Sequence, residues 1–339
     1  VVMSKGKWLY ASCNQEYQLF TVGTTTGFVV YDSQLGQEKF QVTFGKGVGI
    51  VECLQDSNII VFAGGGPNPV YPPERLIVWD DDTNSNIAEI EFPETIIGVK
   101  VHLFKLIVIL TDRFYIYDTR NMSLLESLQT FPNPRGLCEF GGTREQLQVL
   151  VTPSDQQGYV RLEHFYPHHR VIQFKAHDGN LSCLSLSKDG RYLATCSDKG
   201  TLVRVFDASI DSTGKILHEF RRGTTNADIY SISFSTNSKF LIVNSDTFTC
   251  HIFSIDRPEL NTQSLADWGA GWMSSMLSYK QSSRYAAKLA LPQTYSSVMF
   301  ISDNHIIAVS LDRSYNKFEI DAKDTELTVT PKGYKQLGE

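Results

Sequence analysis

Features that would mark a nucleic-acid binder or a membrane-spanning protein are missing from this sequence. Positive charge is not in surplus, because the formal net charge is −6 and the pI is about 5.8. This balance disfavours general binding to nucleic acid and adsorption to anionic membranes through the overall field. The most apolar run, Val101 to Leu110, is too short to span a bilayer. With no signal-like N-terminus, these features predict a cytoplasmic protein.

Catalytic and metal-binding motifs are also missing. The chain has no Gly-x-Ser-x-Gly, His-Glu-x-x-His or Gly-x-x-x-x-Gly-Lys-Ser/Thr motif. The pair His168-His169 lacks further ligands at metal-binding spacing, which favours a solvated loop. The six cysteines include no Cys-x-x-Cys pair and several lie in apolar runs, so they are interpreted as buried free thiols of a reducing compartment. We therefore predict a protein that is not an enzyme and that uses neither a metal nor a cofactor.

Short β-strand patterns run through the whole chain, and helical periodicity is nearly absent. Many of these strands end in an apolar residue, an aromatic residue and an aspartate, as at Val30-Tyr31-Asp32, Val78-Trp79-Asp80, Ile116-Tyr117-Asp118 and Val205-Phe206-Asp207, with Ile252-Phe253-Ser254 as a variant. The ending recurs at roughly forty to fifty residues, or twice that interval, which is typical of WD-type β-propeller blades.

The repeats predict an all-β fold, a single seven-bladed WD40-like β-propeller over 1–339 with four-stranded antiparallel blades. The expected blades are 8–44, 48–92, 96–130, 131–173, 177–220, 226–291 and 295–330. The fifth is the most regular, because Ser187-Lys188-Asp189-Gly190 and Ser197-Asp198-Lys199-Gly200 both have the composition of tight turns.

The sixth repeat contains a long insertion, 256–284, between its third and fourth strands. Structureless segments of this length in compact folds are usually functional or disordered. Its centre holds large apolar residues that ordinarily lie in a core: Trp268, Trp272, Met273, Met276 and Leu277. Such an exposed apolar segment fits either a lipid surface or a protein partner.

Two adjacent arginines, Arg221 and Arg222, end the last strand of the fifth repeat. Side chains of neighbouring residues leave an extended strand on opposite faces, so these guanidinium groups are expected to serve two separate sites. A guanidinium is always charged and matches phosphate oxygens with two parallel hydrogen bonds, which favours a phosphorylated ligand.

Polar residues are duplicated on either side of this strand. Arg204 stands two residues before Phe206, and His251 stands two residues before Phe253. Ser182 and Ser231 are likewise assigned to corresponding positions in the first strands of the fifth and sixth repeats. The duplication predicts two similar clusters of hydrogen-bond donors, one for each arginine.

The run from His177 to Phe253, above all Phe220-Arg221-Arg222-Gly223 between two WD-like blades, resembles the PROPPIN family of phosphoinositide-binding propellers, most of all its short fungal branch named "homologous with swollen vacuole phenotype". Asn14-Gln15-Glu16 and Tyr285-Ala286-Ala287-Lys288-Leu289 extend the likeness over nearly the whole chain. The resemblance implies rim sites for phosphatidylinositol 3-phosphate and phosphatidylinositol 3,5-bisphosphate and a membrane-inserting loop. It also implies autophagy-related protein partners and peripheral association with vacuolar, endosomal and pre-autophagosomal membranes. Phe248 departs from the family, which usually has Gly before this Thr.

From these observations we expect two phosphoinositide sites and an inserting loop. The first site comprises Arg221, Arg204, Ser182, Thr201 and His177. The second comprises Arg222, Ser231, Thr249, His251 and Arg284. The insertion contributes Trp268, Trp272, Met273, Met276 and Leu277. We expect a monomer that does not bind nucleic acid, and the alternative is a WD-repeat scaffold for proteins without lipid specificity.

Overall fold

The computed structural model describes residues 6–14, 17–54, 57–102, 104–142, 148–166, 168–261, 285–291, 294–323 and 326–338. The chain forms two compact units, one of Val1–Cys138, Val309–Tyr315 and Lys335–Glu339 and the other of Glu139–Ala308 and Asn316–Tyr334. Across the described residues the only helical element is a 3₁₀ turn at Pro258–Leu260. None of their helical segments is long and apolar enough to cross a membrane.

The first unit contains three four-stranded antiparallel sheets, each with its strands in chain order. The first sheet consists of β1 (Trp8–Cys13), β2 (Leu19–Thr24), β3 (Gly27–Asp32) and β4 (Gln37–Thr43). The second consists of β5 (Val48–Cys53), β6 (Ile59–Gly64), β7 (Arg75–Asp80) and β8 (Ser85–Glu91). The third consists of β9 (Gly98–His102), β10 (Lys105–Ile109), β11 (Arg113–Asp118) and β12 (Ser123–Gln129).

The second unit contains three further sheets of the same kind. The fourth sheet consists of β13 (Glu139–Gly141), β14 (Gln148–Pro153), β15 (Tyr159–Tyr166) and β16 (Arg170–Lys175). The fifth consists of β17 (Leu181–Leu186), β18 (Tyr192–Ser197), β19 (Leu202–Asp207) and β20 (Ile216–Arg221). The sixth consists of β21 (Ile229–Phe234), β22 (Phe240–Ser245), β23 (Thr249–Ser254) and β24 (Ala287–Ala290). The seventh sheet takes residues from both units and consists of β25 (Ser296–Phe300), β26 (His305–Ser310), β27 (Ser314–Ala322) and β28 (Leu327–Gln336).

These seven antiparallel sheets are the blades of a seven-bladed β-propeller, which confirms the predicted fold class. Two strands lie away from their expected places. The fourth sheet begins at Glu139, later than the expected 131, and the seventh continues to Gln336. From Thr330 onward β28 is exposed and mostly polar, and this part contains Pro331. An edge strand accepts proline because its outward amide needs no partner. A polar strand of this kind lacks apolar alternation, so the sequence pattern does not predict it.

The repeated aromatic-aspartate ending has a structural cause. In four blades the ladder between the third and fourth strands carries a bulge immediately before the aromatic residue: Tyr31, Trp79, Tyr117 and Phe206. The following aspartate accepts a backbone N–H from two residues further on, as Asp32 does from Gln34 and Asp207 does from Ser209. Such Asx turns reverse the chain after the bulge. The motif therefore encodes the hairpin that leads into the outermost strand.

The fifth and sixth blades share one apolar cluster. Phe220 on β20 is fully buried and stacks on Phe253 of β23, with ring centroids 4.7 Å apart. Ile229, Phe234 and Leu241 of the sixth blade belong to the same cluster. Stacked aromatic pairs contribute about 0.5–1.5 kcal/mol beyond their buried area, so this contact stabilises the orientation in which the Phe220 face of β20 packs on the sixth blade.

The turn between β22 and β23 holds an aromatic residue in a left-handed conformation. Phe248 has φ of 56°, and its N–H donates to the carbonyl of Ser245. The corresponding turn of the fifth blade has Gly200 at φ 62°, whose N–H donates to Ser197. Residues with a Cβ pay about 1–2 kcal/mol in this region, and glycine does not. The departure from the family pattern at Phe248 therefore lies at a strained position.

We expect Phe248→Gly to be more stable than Phe248→Ala by about 1 kcal/mol, because both variants lose the ring and only alanine retains the strained Cβ. Urea unfolding of the two variants measures the difference. Equal midpoints, or a more stable alanine variant, would contradict a left-handed backbone at this position.

Candidate functional site

Strand β20 presents its two terminal arginines to different surroundings. Glu219, two residues before Arg221, pairs with Arg204 within the fifth blade, whereas Phe220, two residues before Arg222, packs on Phe253 of the sixth blade. Side chains two residues apart share a face of an extended strand. Arg221 therefore lies on the Arg204 face, and Arg222 lies on the face that packs against the sixth blade.

The first group of polar residues is built around Arg204. Its Nε donates to Oε2 of Glu219 at 2.9 Å, and Nη1 donates to the carbonyl of Ala176 at 2.7 Å. His177 follows Ala176, is only 4% exposed, and forms a hydrogen bond from Nε2 to Oγ1 of Thr195 at 2.9 Å. Burial, and then the charge of Arg204, lower the pKa of His177 to about 4. His177 is therefore a neutral ring near neutral pH.

Ser182 and Thr201 complete the set assigned to the first site. Ser182 is buried and donates its hydroxyl hydrogen to the carbonyl of Ser197 at 2.8 Å. Thr201 is half-buried, and its carbonyl accepts the N–H of Arg222 at 3.0 Å. Arg204 and His177 thus lie together, while Ser182 and Thr201 are tied to the ends of the neighbouring strands.

Arg222 anchors the second group. Its side chain is 6% exposed, Nε donates to the carbonyl of Gly200 at 2.8 Å, and Nη2 donates to the carbonyl of Thr225. Burial lowers the pKa of Arg222, and the nearby carboxylate of Asp246 acts in the opposite direction. A guanidinium has five donor hydrogens, so these two contacts position it and leave donor capacity for a ligand.

His251 is the most unusual residue of this group. It is 6% exposed, and its Nδ1 is buried without a hydrogen-bond partner among the residues that the structure describes. The ring of Tyr285 packs edge-on against it at 5.0 Å. Burial, followed by the charges of Arg222 and Lys288, lowers the pKa of His251 to about 3. An unpaired buried polar atom is costly, so a further hydrogen-bond donor or acceptor at this position would stabilise the ring.

Sequence reasoning missed Lys288 as a member of the second group. Lys288 pairs with His251 across β23 and β24, and its ammonium lies 4.4 Å from the ring centroid of Tyr285. The side chain is exposed. The position could have been found by aligning the fourth strands of the two blades, since Lys288 takes the place that Glu219 has opposite Arg204.

The predicted equivalence of Ser182 and Ser231 is wrong. Ser231 pairs with Asn244 as Cys183 pairs with Cys196, so Ser231 corresponds to Cys183. Both first strands carry a bulge at the same place, between Leu181 and Cys183 and between Ile229 and Ser231, so the two strands align without a gap and the prediction was one residue out of register. The Oγ of Ser231 accepts the N–H of Val298 on β25 at 3.1 Å. This hydroxyl therefore serves the junction with the seventh blade.

The structure describes only some of the remaining residues predicted for the second site and the insertion. Thr249 opens β23, is half-buried, and donates its hydroxyl to the carbonyl of Thr247 at 3.4 Å. Arg284 lies outside the described residues, as do the five apolar residues assigned to the insertion, Trp268, Trp272, Met273, Met276 and Leu277.

The two buried neutral histidines make stability depend on pH. In the unfolded chain a histidine has a pKa near 6.5, whereas in the fold the pKa is about 4 for His177 and about 3 for His251. The folded state binds fewer protons, so the stability is complete above about pH 6.5 and is lost as the pH falls toward the folded values. We expect each histidine to cost about 1.4 kcal/mol per pH unit within that window, measured by urea unfolding near pH 7 and near pH 5.

The variant His251→Phe replaces a titrating ring by a neutral one. It should reduce the acid-induced loss of unfolding free energy near pH 5 by about 2 kcal/mol. The exposed His168 offers a matched control, since His168→Gln should leave the loss unchanged. An identical loss in the parent protein and His251→Phe would contradict the buried neutral state.

Comparison with known proteins places this arrangement in a family. The PROPPIN family model matches residues 9–318. Autophagy-related protein 18e of Arabidopsis thaliana is 33% identical over 324 residues, covering 94% of this chain and 85% of that protein. Autophagy-related protein 18 of Yarrowia lipolytica is 35% identical over 268 residues, covering 73% of this chain and 66% of that protein.

Solved structures of low identity share the fold. Kluyveromyces lactis Hsv2 has a TM-score of 0.79 at 20% identity, with 98% of this chain and 99% of that chain covered. KlAtg21, solved as a complex with the coiled coil of AgAtg16, has a TM-score of 0.77 at 18% identity, with 98% and 99% covered. From the family match over most of its length and the identity to curated relatives, this chain belongs to the PROPPIN family.

Proposed function

We propose that this protein is a peripheral membrane effector that recognises phosphatidylinositol 3-phosphate and phosphatidylinositol 3,5-bisphosphate. The observation that carries the proposal is the placement of Arg221 and Arg222 on opposite faces of β20, each beside its own group of polar residues. Two such groups fit two phosphorylated headgroups. The function is binding and includes no catalytic step.

The first headgroup site uses Arg221 with Arg204, His177, Ser182 and Thr201. The second uses Arg222 with His251, Thr249 and Lys288, and with Arg284 from outside the described residues. Neutral imidazoles and hydroxyls orient the inositol ring by hydrogen bonds, and the cations bind phosphate oxygens. The unpaired Nδ1 of His251 supports this assignment, because a ligand hydroxyl or phosphate would satisfy it.

Two headgroup sites on one molecule that reach the same bilayer increase the avidity of the protein for that membrane. An exposed phosphate held by one arginine and a few neutral donors binds weakly, since its charge is well solvated and is screened over about 8–10 Å. Once the first headgroup is held, capture of the second is effectively intramolecular, which raises the avidity by roughly 10² to 10⁴. Insertion of the apolar residues within 256–284 would add an apolar contribution of its own.

We further propose that the protein acts on autophagy-related membranes together with protein partners. The curated relatives are named as autophagy-related proteins, and the complex of KlAtg21 with a coiled coil is the model for one class of partner. A scaffold role is compatible with lipid binding where the protein partner binds a surface away from β20. A scaffold without lipid specificity would not need duplicated phosphate donors on β20.

The lipid proposal predicts the behaviour of the double variant Arg221→Thr, Arg222→Thr. We expect the parent protein to co-sediment with vesicles containing phosphatidylinositol 3-phosphate and the variant to lose this binding by roughly 10²-fold or more, because both anchors of a bivalent contact are removed. Vesicles in which phosphatidylserine supplies the same total charge should sediment neither protein.

A matched control removes two arginines elsewhere. Arg191 lies at the end of the fifth blade away from Arg221 and Arg222, and Arg113 begins β11 in the third blade. The double variant Arg191→Thr, Arg113→Thr should bind like the parent. Equal binding by all three proteins would refute the arginine sites.

Tryptophan emission tests the inserting loop. Of the four tryptophans, Trp8 and Trp79 are buried, with 4% and 7% exposure, and so are shielded from lipid. We expect a blue shift of the emission on adding vesicles with phosphatidylinositol 3-phosphate, and none in the variant Trp268→Phe, Trp272→Phe. An unchanged spectrum of a parent protein that co-sediments would mean that these two rings stay outside the bilayer.

A further inference from the structure

We infer that the two headgroup sites are unequal and that Glu219 sets the difference. This inference rests on the proposed function. Glu219 holds Arg204 of the first site in an internal ion pair, whereas the second site has Lys288 at the same register position. The second site accordingly takes a 3-phosphate first and more tightly.

The equivalence of Glu219 and Lys288 follows from strand pairing. Arg204 and His251 occupy the same position on the third strands of the fifth and sixth blades, since each stands two residues before the stacked aromatic, Phe206 or Phe253. On the neighbouring fourth strands, Glu219 pairs with Arg204 and Lys288 pairs with His251. One blade position thus carries opposite charges in the two sites.

In the first site the guanidinium group of Arg204 is already engaged. Glu219 Oε2 lies 2.9 Å from Arg204 Nε, and both side chains are partly shielded, at 31% and 25% exposure. Nη1 of the same guanidinium is engaged by the carbonyl of Ala176. An incoming phosphate must displace the Glu219 carboxylate or bind beside it, and like charges at such short range repel.

In the second site the donors are positioned but not neutralised by contact. Within the described residues Lys288 has no carboxylate partner, and its ammonium rests over the ring of Tyr285. His251 Nδ1 is buried without a partner, and Arg222 is held in place by backbone carbonyls. A site whose donors need no rearrangement loses less free energy on binding.

Exposed carboxylates near the turns do not account for the difference. Asp198 and Asp246 follow equivalent turn serines, and Asp246 acts on Arg222 through space without an ion-pair contact. Lys199 and Asp178 near the first site offset each other, and Asp228 near the second is exposed. Charges in solvent are screened over about 8–10 Å, so the direct contact at Arg204 outweighs them.

Titration with a soluble headgroup, inositol 1,3-bisphosphate, separates the sites. The variant Arg222→Ala retains only the first site, and Arg221→Ala retains only the second. By calorimetry we expect Arg221→Ala to bind the headgroup more tightly than Arg222→Ala. Adding Glu219→Gln to Arg222→Ala keeps a hydrogen-bonding side chain, removes the charge, and should tighten binding about threefold to tenfold.

Two further variants test whether the charge at the Glu219 and Lys288 positions, rather than net charge, sets the affinity. Asp211→Asn removes one exposed negative charge from the loop at the other end of β20, and on the Arg222→Ala background it should leave the affinity unchanged. Lys288→Glu on the Arg221→Ala background should weaken binding about tenfold or more. If thermal unfolding shows that the Glu219→Gln variant does not fold, the effect of Lys288→Glu alone tests whether the charge at this position sets the affinity.

The outcomes separate this inference from the proposed function. Absence of headgroup binding by the parent protein would overturn both. Binding by the parent with equal affinities of the two single-site variants, and no effect of Glu219→Gln or Lys288→Glu, would overturn the inequality and leave the lipid function standing. An equal gain from Asp211→Asn and Glu219→Gln would also overturn it, because net charge rather than the Arg204 contact would then be responsible.

Discussion

The contact between Phe220 and Phe253 determines how the rest of the site is arranged. With Phe220 buried against the sixth blade, β20 cannot rotate about its own axis, and the residues on either side of Phe220 must lie on the opposite face of the sheet, where Glu219 pairs with Arg204. Arg222 then has to lie on the Phe220 side and Arg221 on the other. Strand geometry places the two adjacent cations on opposite faces, and the apolar stacking interaction decides which of them faces the sixth blade.

Each group combines charged side chains with a histidine that stays neutral. His177 and His251 are buried next to Arg204 and Arg222, and both burial and the adjacent positive charge oppose protonation. The histidines supply hydrogen bonds with direction, while the guanidinium groups supply attraction. This division of roles suits a ligand that carries both hydroxyl groups and phosphates.

The fold was predictable because the repeated residues have the same mechanical role in four of the blades, where the aromatic follows a bulge and the aspartate closes the turn. The equivalence of Arg204 and His251 was predictable because each stands two residues before the aromatic of its third strand, and the strand pairing agrees with that count. Ser231 was placed one residue out of register because the same strand also carries Ser233, so serine content does not mark the register. Lys288 was not predicted because the 256–284 insertion separates β23 from β24 in the sequence. The residue that pairs with His251 therefore cannot be found by counting residues from β23.

The hydrogen bond from Arg222 to the carbonyl of Gly200 holds a side chain of the fifth repeat beside residues of the sixth. Arg222 and Gly200 belong to the fifth repeat in sequence, yet they complete a group whose histidine and lysine come from the sixth. The repeats of this propeller are consequently not structurally independent at this point. Duplication, deletion or grafting of a single blade between them would separate Arg222 from His251 and Lys288.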